Sequence, residues 1–521
     1  MLLHRSKTAA PSDSSTTEMI ETSAYQGATN PVNDREDNYS RDYASHGHAK
    51  NVGIVIIGAG MAGSRFAIEL ARAQQKNKCR DSLPLPITLI SKEPHVGYNR
   101  IMLSPVLAGE TAFEDTYLYD QSDYEQLGIT ILAGVSVETI DTEQQCIELD
   151  HGQRLPYAKL VIATGSTARV IPFPNHTAKG VHVFRDLADV TTLTEYARQG
   201  KTGLVIGGGV LGLEAACALA AQGATMSVIH VDDYVLNNQL DLPAAQLLQA
   251  ELRRRGVGLE VSANTEAIVT NDANEVCGLA LKDGRTLRAD FIVMAVGVIP
   301  NTTLAKDSGL EVNRGIIVDD CMHTSCPHVY AIGECVELDG ELFGMVAPVN
   351  QQVDTLVSVL KDAMISDPVM SDITDSNGSA SLQDSWIPFV SKPLSLKLKV
   401  SGVSAFSAGQ IAFDDSDDET IETLVYRQPT LNHYHCLYLK NNKVVGAVLY
   451  GDVNDGSFYS QLIIDQVDIT PIKDTLIFGE AYCDLETIDP SDLTCHIVTN
   501  EDDKETDNDN SKVTELVEEA P

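Results

Sequence analysis

The sequence has 521 residues, of which 43% are hydrophobic, and it carries 37 Lys or Arg against 74 Asp or Glu, a net charge of −37. This length predicts about two to four domains with sizeable cores. The acidic balance argues against binding to nucleic acid or to an anionic membrane surface, because both need a basic face.

The chain offers no targeting, membrane or metal signal. No apolar run approaches the roughly 18 to 20 residues of a membrane-spanning helix, and the first residues lack the apolar core of a secretory signal. The ten cysteines include no CxxC pair, so neither a zinc ribbon nor a thioredoxin motif is predicted. We therefore expect a cytoplasmic protein without a metal site, in which most cysteines are small buried side chains.

The first predicted nucleotide-binding unit begins at Val52, after residues 1–50, which are polar, lack periodicity and are predicted to be disordered. Its sequence, VGIVIIGAGMAGSRFAIELARA, predicts a buried strand, a tight turn and a helix. Gly58, Gly60 and Gly63 have the GxGxxG spacing. The first glycine permits the turn, the second lets a pyrophosphate approach the backbone, and the third lets the helix pack closely. This pattern predicts a bound dinucleotide, with its phosphates at the helix N-terminus.

A second strand of this unit, ITLIS, leads to Glu93, whose carboxylate can accept both hydroxyls of a ribose. The separation from Gly58 is 35 residues (93 − 58), which is longer than usual. The polar stretch QQKNKCRDSLPLP explains the difference as an enlarged loop.

The strand–glycine–helix pattern returns 149 residues later, as GLVIGGGVLGLEAACALAAQGATMSVIHV. Gly207, Gly209 and Gly212 repeat the spacing of the first motif, which predicts a second nucleotide-binding domain of related fold.

The end of the next strand addresses the choice between NADH and NADPH. His230-Val231 is followed by Asp232-Asp233, and no Arg or Lys lies between residues 230 and 250 to grip a 2′-phosphate. The aspartates, Asp232 above all, favour the free ribose diol of NADH. NADPH stays possible, because His230 occupies the position where an acid would be most diagnostic.

Two apolar strands end in small-residue turns that let the chain cross between domains beside a cofactor. They are KLVIATGS (159–166), with Thr164 and Gly165, and DFIVMAVGVIPN (290–301), with Gly297.

The remainder of the chain divides by composition. Residues 366–386 read as a linker, and residues 387–482 as a smaller α/β domain with a hairpin turning at Asn441-Asn442. Residues 483–521 form an acidic tail, which is either a docking arm for a basic partner or a solvated disordered segment.

Several segments together resemble a known family. The two GxGxxG units, ATG at 163–165 and YAIGE at 330–334 resemble the FAD-dependent pyridine nucleotide–disulfide oxidoreductase superfamily. Five further segments resemble, more narrowly, the flavoprotein half of the NAD(P)H nitrite reductase large subunit and the electron-transfer reductases of nitrate assimilation. They are YNRIMLSPVLAGE (98–110), FRDLADV (184–190), LKVSGVSAFSAG (398–409), GAVLYGD (446–452) and PIKDTLIFGEAY (471–482).

The resemblance implies an α/β fold with two Rossmann-like domains of the glutathione-reductase type. The FAD-binding domain would comprise residues 51–166 and 290–365, the NAD-binding domain residues 167–289, and a smaller C-terminal α/β domain would follow.

The resemblance also implies residue roles. Glu334 would accept from the FAD ribityl chain, where wider relatives carry Asp, and Glu214 would be the catalytic residue that helps to place the nicotinamide against the flavin. FAD would otherwise be held by Gly58, Gly60, Gly63, Glu93, Arg100 and Thr164, and NADH by Gly207, Gly209 and Gly212. The other candidate cofactor-binding residues are Asp232, from the argument on the ribose above, and the turn glycines Gly165, Gly297 and Gly333.

The cysteine-rich stretch CMHTSCPHVYAIGEC (321–335) then has three interpretations. Its C-x-H-x2-C-x-H spacing matches no tetrahedral metal site, and a Cys321–Cys326 redox disulfide is disfavoured because superfamily disulfides lie near the segment that corresponds here to YNRIMLSP. No cysteine occurs from 80 to 145. We therefore interpret its thiols as packing or surface residues beside Gly333 and Glu334, and expect no cysteine-based chemistry.

Two departures from relatives bear on function. Pro105 stands where ferredoxin-reductase relatives usually carry a lysine, which favours the nitrite and nitrate branch and leaves the partner of Glu214 unidentified. Only Cys483 and Cys495 follow Tyr482, whereas the nitrite reductase large subunit continues into iron–sulfur and sirohaem modules. We therefore expect that the chain does not reduce nitrite by itself.

The predicted function is hydride transfer from NADH to FAD, then release of electrons to a separate acceptor protein, a nitrate or nitrite reductase component. A rubredoxin or ferredoxin-type NADH reductase is the nearest alternative. A non-catalytic flavoprotein, acting as a scaffold or redox sensor, is the alternative from another class. A homodimer is possible.

Overall fold

A computed structural model describes residues 52–76, 84–361, 387–391, 395–400, 402–413 and 421–487. The predicted N-terminal extension and the linker lie outside these residues. Of the predicted tail, only residues 483–487 are described, and they include a 3-10 turn at Leu485–Thr487. Among the described helices, none is both long and apolar enough to cross a membrane.

The first sheet is built from seven strands, and the apolar strand that leads into the first glycine motif lies near its centre. The strands are β1 (Gly53–Ile57), β2 (Ile87–Ser91), β3 (Ile129–Ala133), β4 (Val137–Asp141), β5 (Cys146–Leu149), β6 (Arg154–Ile162) and β18 (Val329–Ala331). Their order is β3-β2-β1-β6-β5-β4, with β18 paired to β6. β1 is parallel to both β2 and β6 and is almost fully buried, as its β-branched composition predicts. Helices α1 (Met61–Lys76) and α8 (Val346–Leu360) pack on each other beside this sheet.

The second sheet repeats this arrangement around the second glycine motif. Its strands are β8 (Val181–Val183), β9 (Thr202–Ile206), β10 (Thr225–Ile229), β11 (Gly258–Glu260) and β15 (Phe291–Met294), in the parallel order β11-β10-β9-β15-β8. Its helices are α4 (Leu187–Arg198), α5 (Val210–Ala221) and α6 (Leu242–Arg254). The predicted division at 289/290 precedes β15, which is hydrogen-bonded into this second sheet. The return to the first unit therefore follows β15.

Two short strands join the units, and a small sheet adjoins the second one. β7 (Ser166–Ala168) and β16 (Val298–Pro300) pair antiparallel, so the outgoing and returning chains cross side by side. The small sheet comprises β12 (Thr265–Thr270), β13 (Val276–Leu281) and β14 (Thr286–Arg288). The remaining short elements are α2 (Leu103–Ala108), α3 (Gln121–Gln126), α7 (Thr303–Asp307), β17 (Ile316–Ile317), β19 (Val336–Leu338) and β20 (Glu341–Leu342).

The C-terminal segment is a five-stranded antiparallel sheet covered by one helix. It contains β21 (Ser395–Val400), β22 (Val403–Gly409), β23 (Glu422–Gln428), β24 (His433–Lys440), β25 (Lys443–Tyr450) and α9 (Gly456–Asp465), in the order β21-β22-β25-β24-β23. The expected hairpin is present: Asn441 and Asn442 have φ of 53° and 56°, as a type I′ turn requires.

This sheet packs on the second unit through side chains of β22, β24 and β25. Tyr434 donates a hydrogen bond of 2.5 Å to Oδ2 of Asp241, and Tyr438 donates one of 3.1 Å to the same oxygen. Oδ1 of Asp241 accepts from the amide of Ala244 and caps α6. The Asp241 carboxylate therefore both caps the N-terminus of α6 and anchors the C-terminal sheet to the second unit.

Candidate functional site

The first glycine turn joins β1 to α1 and opens on a cleft. Gly58 has φ of 108°, and its amide donates to the carbonyl of Ile90 at 2.8 Å. A Cβ on Gly63 would lie 1.9 Å from the carbonyl oxygen of Gly58, whereas a Cβ on Gly60 would meet nothing within 4 Å. Gly58 and Gly63 therefore close the strand–helix turn, and Gly60 leaves the backbone open to a ligand.

The second glycine turn, between β9 and α5, has the same geometry. Gly207 has φ of 118°, and a Cβ on Gly212 would lie 2.1 Å from its carbonyl oxygen. Gly209 is the N-cap of α5, and a Cβ there would meet nothing within 4 Å. The amides of the first turn of α5 thus face open space, which suits an anionic pyrophosphate.

Both turns line one cleft of about 3440 Å³. Exposed apolar side chains also line it, including Ile101 (58% exposed) and Leu211 (41% exposed), which a flat aromatic ring could cover. The predicted site residues that line the cleft are Gly58, Gly60, Glu93, Arg100, Thr164, Gly165, Gly209, Glu214, Gly297, Gly333 and Glu334. Gly63, Gly207 and Gly212 lie behind the turns, and Asp232 lies outside the cleft lining.

Glu93 lies at one side of the cleft, in a network of three side chains. Tyr98 donates to its Oε2 at 2.7 Å, and Arg100 forms an ion pair with its Oε1. Burial raises the pKa of Tyr98, which keeps the hydroxyl protonated as a donor. Arg100 also donates to the backbone carbonyl of Arg185 at 3.0 Å. The network therefore links the first nucleotide-binding unit to the start of the second.

Glu334 is held by two residues to which the sequence analysis gave no role. Its Oε2 accepts from Ser166 at 2.7 Å and forms an ion pair with Arg185. Arg185 also donates to the hydroxyl and the carbonyl of Ser166, at 2.8 and 3.2 Å. The segment FRDLADV contains Arg185, so the family resemblance held the only signal that could have identified it.

Gly333, next to Glu334, donates its amide to Oε1 of Gln352 at 2.7 Å. Nε2 of Gln352 is buried without a hydrogen-bond partner among the described residues. Gln352 does not line the cleft itself, but its side chain fixes the backbone of Gly333, which does.

The partner of Glu214 is Ser104. The Ser104 hydroxyl donates to Oε2 of Glu214 at 2.6 Å, across the contact between α2 and α5. Leu103, Leu107 and Leu213 pack in one apolar cluster around this contact. Burial raises the pKa of Glu214, and the Ser104 hydrogen bond opposes that rise. The sequence analysis left the partner of Glu214 unidentified, because Pro105 replaces the expected lysine. The structure identifies that partner as the neutral hydroxyl of Ser104.

At the end of β10, His230 supports the second glycine turn. The amide of Gly208 donates to its Nδ1 at 3.1 Å, which places the proton of the neutral ring on Nε2. Nε2 lies 3.6 Å from Oδ2 of Asp232 and has no hydrogen-bond partner in the described part of the chain. The ring is thus hydrogen-bonded to the glycine turn and lies near the aspartate predicted to favour NADH, without a hydrogen bond to it.

Two of the three thiols in 321–335, those of Cys321 and Cys335, lie in environments that disfavour the thiolate. Burial raises the pKa of Cys335 and raises that of Cys321 to about 11, so both are protonated at neutral pH. None of the described cysteines forms a disulfide, and within the described ranges no group of three or more His, Cys, Asp or Glu could hold a metal. One cysteine that the sequence analysis overlooked, Cys217, lines the cleft one helical turn after Glu214.

The residues present fit two dinucleotides. Each glycine turn offers one open glycine and a helix N-terminus for a pyrophosphate, as FAD and NADH both require. Oε2 of Glu334 is occupied by Ser166 and Arg185, which leaves Oε1 for a ligand hydroxyl.

Comparison with known proteins places the chain among flavin-dependent reductases. It is 39% identical over 417 residues to nitrite reductase [NAD(P)H] of Bacillus subtilis, covering 80% of this chain and 48% of that protein. It is 36% identical over 449 residues to the assimilatory nitrate reductase electron transfer subunit of Bacillus subtilis, covering 86% and 54%. The chain thus spans about half the length of these relatives.

A solved structure shares the architecture. NADH:rubredoxin oxidoreductase from Clostridium acetobutylicum matches with a TM-score of 0.60 at 27% identity, covering 79% of this chain and 94% of that chain. The rubredoxin NAD+ reductase C-terminal domain matches residues 395–467. The α/β fold class, the oxidoreductase class and the cofactors FAD and NADH, all predicted above, are confirmed. The pyridine nucleotide-disulphide oxidoreductase family matches residues 52–355, and the chain belongs to that family.

Proposed function

We propose that the chain takes a hydride from NADH onto bound FAD and passes the electrons to a separate redox protein. The observation that carries this proposal is one cleft lined by both open glycines, Gly60 and Gly209, with Glu214 in its wall. Two nucleotides bound in one cleft can bring their reactive rings together, which is how proximity lowers the barrier to hydride transfer.

The residues of the first unit would bind and orient FAD. The first turn of α1, beyond Gly60, would receive the pyrophosphate, Glu93 a ribose and Glu334 the ribityl chain. When bound, FAD supplies the chemistry that accepts two electrons from NADH and releases them to an acceptor. We propose the domain division given above, with β15 assigned to the second unit.

The residues of the second unit would bind NADH. Gly209 and the N-terminus of α5 would receive its pyrophosphate, and Gly207 and Gly212 would keep the turn closed behind it. Asp232, next to His230, would accept from the free ribose hydroxyls and favour NADH over NADPH. Glu214 and Ser104 would lie beside the nicotinamide, and the apolar Ile101 and Leu211 would help to exclude water from the rings.

We propose that the acceptor belongs to a nitrate or nitrite reductase system. The support is the identity to the two Bacillus subtilis proteins, one of which is named as an electron transfer subunit. A cytoplasmic location and a homodimer stay predictions.

Rubredoxin is the second candidate acceptor. The C-terminal match to a rubredoxin NAD+ reductase domain favours it. So does the NADH-rubredoxin oxidoreductase of Clostridium acetobutylicum, which is 28% identical over 410 residues, covering 93% of that protein.

Stopped-flow reoxidation would separate the two candidates. The NADH-reduced protein would be mixed anaerobically with purified rubredoxin or, separately, with an oxidised nitrate reductase catalytic subunit. Faster reoxidation of the flavin by the nitrate reductase component is expected, and faster reoxidation by rubredoxin would favour the second candidate. A flavin that neither acceptor reoxidises would contradict both.

A further inference from the structure

The three glutamates predicted to contact a cofactor differ in their partners. Glu93 is paired with Arg100 and Glu334 with Arg185, so both charges are balanced within the protein. Glu214 accepts one hydrogen bond, from the neutral hydroxyl of Ser104, and no described Lys, Arg or His forms an ion pair with it. Of these three glutamates, Glu214 is therefore the one that no described Lys, Arg or His pairs with.

An unbalanced carboxylate in a partly buried position carries a cost, because burial removes water that would stabilise the charge. Burial accordingly raises the pKa of Glu214, and the Ser104 hydrogen bond offsets part of that effect. A cation from a ligand would offset the remainder. The ionised Glu214 carboxylate would therefore be stabilised by a positively charged ligand group.

NADH oxidation creates positive charge on the nicotinamide. The dihydronicotinamide ring is neutral, and it loses a hydride, one proton with two electrons, to the oxidised flavin. The ring is left as a cationic pyridinium, and the flavin has gained the same proton and two electrons. A fixed carboxylate beside the ring would be attracted to the charge that develops during this step.

We propose that Glu214 senses the charge of the nicotinamide, binding the oxidised cationic ring more tightly than the reduced neutral ring, and that Ser104 is a positioning residue that holds Oε2 of Glu214 in place. This inference rests on the proposed function. The essential feature is that no cation of the described residues pairs with Glu214, since an internal ion pair would cancel the difference between the two rings.

Equilibrium binding to the FAD-loaded protein tests the proposal without turnover. The two probes are NAD+ and a tetrahydronicotinamide analogue of NADH, whose ring is neutral and carries no transferable hydride. Isothermal titration calorimetry would give both dissociation constants. Glu214→Gln, which keeps the shape and an acceptor for Ser104, is expected to weaken NAD+ binding about tenfold and to change binding of the analogue by less than about twofold.

Two further substitutions separate positioning from folding. Ser104→Ala should shift the ratio of the two constants in the same direction by a smaller factor, and Ser104→Thr, which retains a hydroxyl, should restore it. Glu110→Gln is the matched control, because Glu110 also lines the cleft but is exposed to solvent, which screens its charge. It should leave the ratio unchanged.

The outcomes are distinguishable. If Glu214→Gln weakens both probes equally, or neither, the charge-sensing role is wrong. Wild-type protein that binds NAD+ but whose flavin NADH does not reduce would instead contradict the proposed function. The proposal would also be overturned if Glu110→Gln changed the ratio of the two dissociation constants as much as is expected for Glu214→Gln. The effect would then come from the summed negative charge of the cleft and not from Glu214.

Discussion

Arg185 and Glu334 form an ion pair across the junction of the two nucleotide-binding units. Arg185 lies between β8 and α4 of the second unit, and Glu334 lies three residues after the end of β18 in the first. Ser166, in the crossover strand β7, bonds both side chains. Glutamate is one methylene longer than aspartate, and the Glu334 carboxylate reaches both Ser166 and Arg185.

The first prediction concerns that length. Glu334→Asp shortens the side chain by one methylene and withdraws the carboxylate from Arg185 and Ser166. We expect FAD to bind about tenfold more weakly, because the shortened side chain leaves the half-buried Arg185 without its partner. Flavin fluorescence on release from the protein measures the dissociation constant. Arg185→Met should weaken FAD similarly, and the double variant should add little to either change. Tighter FAD binding by Glu334→Asp would show that the ion pair does not position Glu334.

The second prediction concerns the assignment of the two glycine turns. Gly209→Val should place a side chain where the NADH pyrophosphate is proposed to bind at the second glycine turn. The KM for NADH should rise more than about tenfold, while the protein keeps its flavin. Gly60→Val is the matched change in the first turn and should yield protein without flavin. Visible absorption and NADH-dependent ferricyanide reduction report the two effects. The opposite pattern would mean that the two sites are reversed.

The third prediction concerns pH and Glu214. Because burial raises the folded-state pKa above 4.5, the folded protein binds more protons than the unfolded chain between 4.5 and the raised pKa. The contribution of Glu214 to stability is therefore full below about 4.5 and is lost as pH rises through the folded pKa. Glu214→Gln should lack this loss and so gain stability relative to wild type as pH increases through that window. Urea unfolding at a series of pH values measures the difference, and parallel curves for the two proteins would contradict the prediction.

The fourth prediction concerns the hydrogen bonds that anchor the C-terminal sheet to Asp241. Tyr434→Phe removes the 2.5 Å hydrogen bond to Asp241 and should lower the free energy of unfolding by about 1.5 to 3 kcal/mol, as for a bond to a charged group. Tyr438→Phe removes the longer bond of 3.1 Å to the same oxygen and should cost less. Urea denaturation compares the two variants. An equal or reversed order would mean that Asp241 does not anchor the sheet chiefly through Tyr434.

Local patterns predicted much of this fold. Gly58 and Gly63, like Gly207 and Gly212, were identified because GxGxxG describes contacts within a few residues of chain. The Asn441-Asn442 turn was identified for the same reason, since its two positive φ angles are a local requirement.

Partners distant in sequence were not predicted from the sequence. Ser104 and Glu214 are 110 residues apart, and Arg185 and Glu334 are 149 apart. No periodicity links such pairs, because the packing of whole units brings them together. The place of β15 was misjudged for a related reason. Its sequence is that of any buried parallel strand, and only its pairing with β9 assigns it to the second sheet.

The central claim is that NADH reduces a flavin held in this cleft. An anaerobic titration of the purified protein with NADH, and separately with NADPH, followed by visible absorption, tests it most directly. The account predicts that NADH bleaches a flavin spectrum at about one equivalent per flavin, with NADPH requiring a higher concentration. A flavin spectrum that neither nicotinamide changes would contradict it.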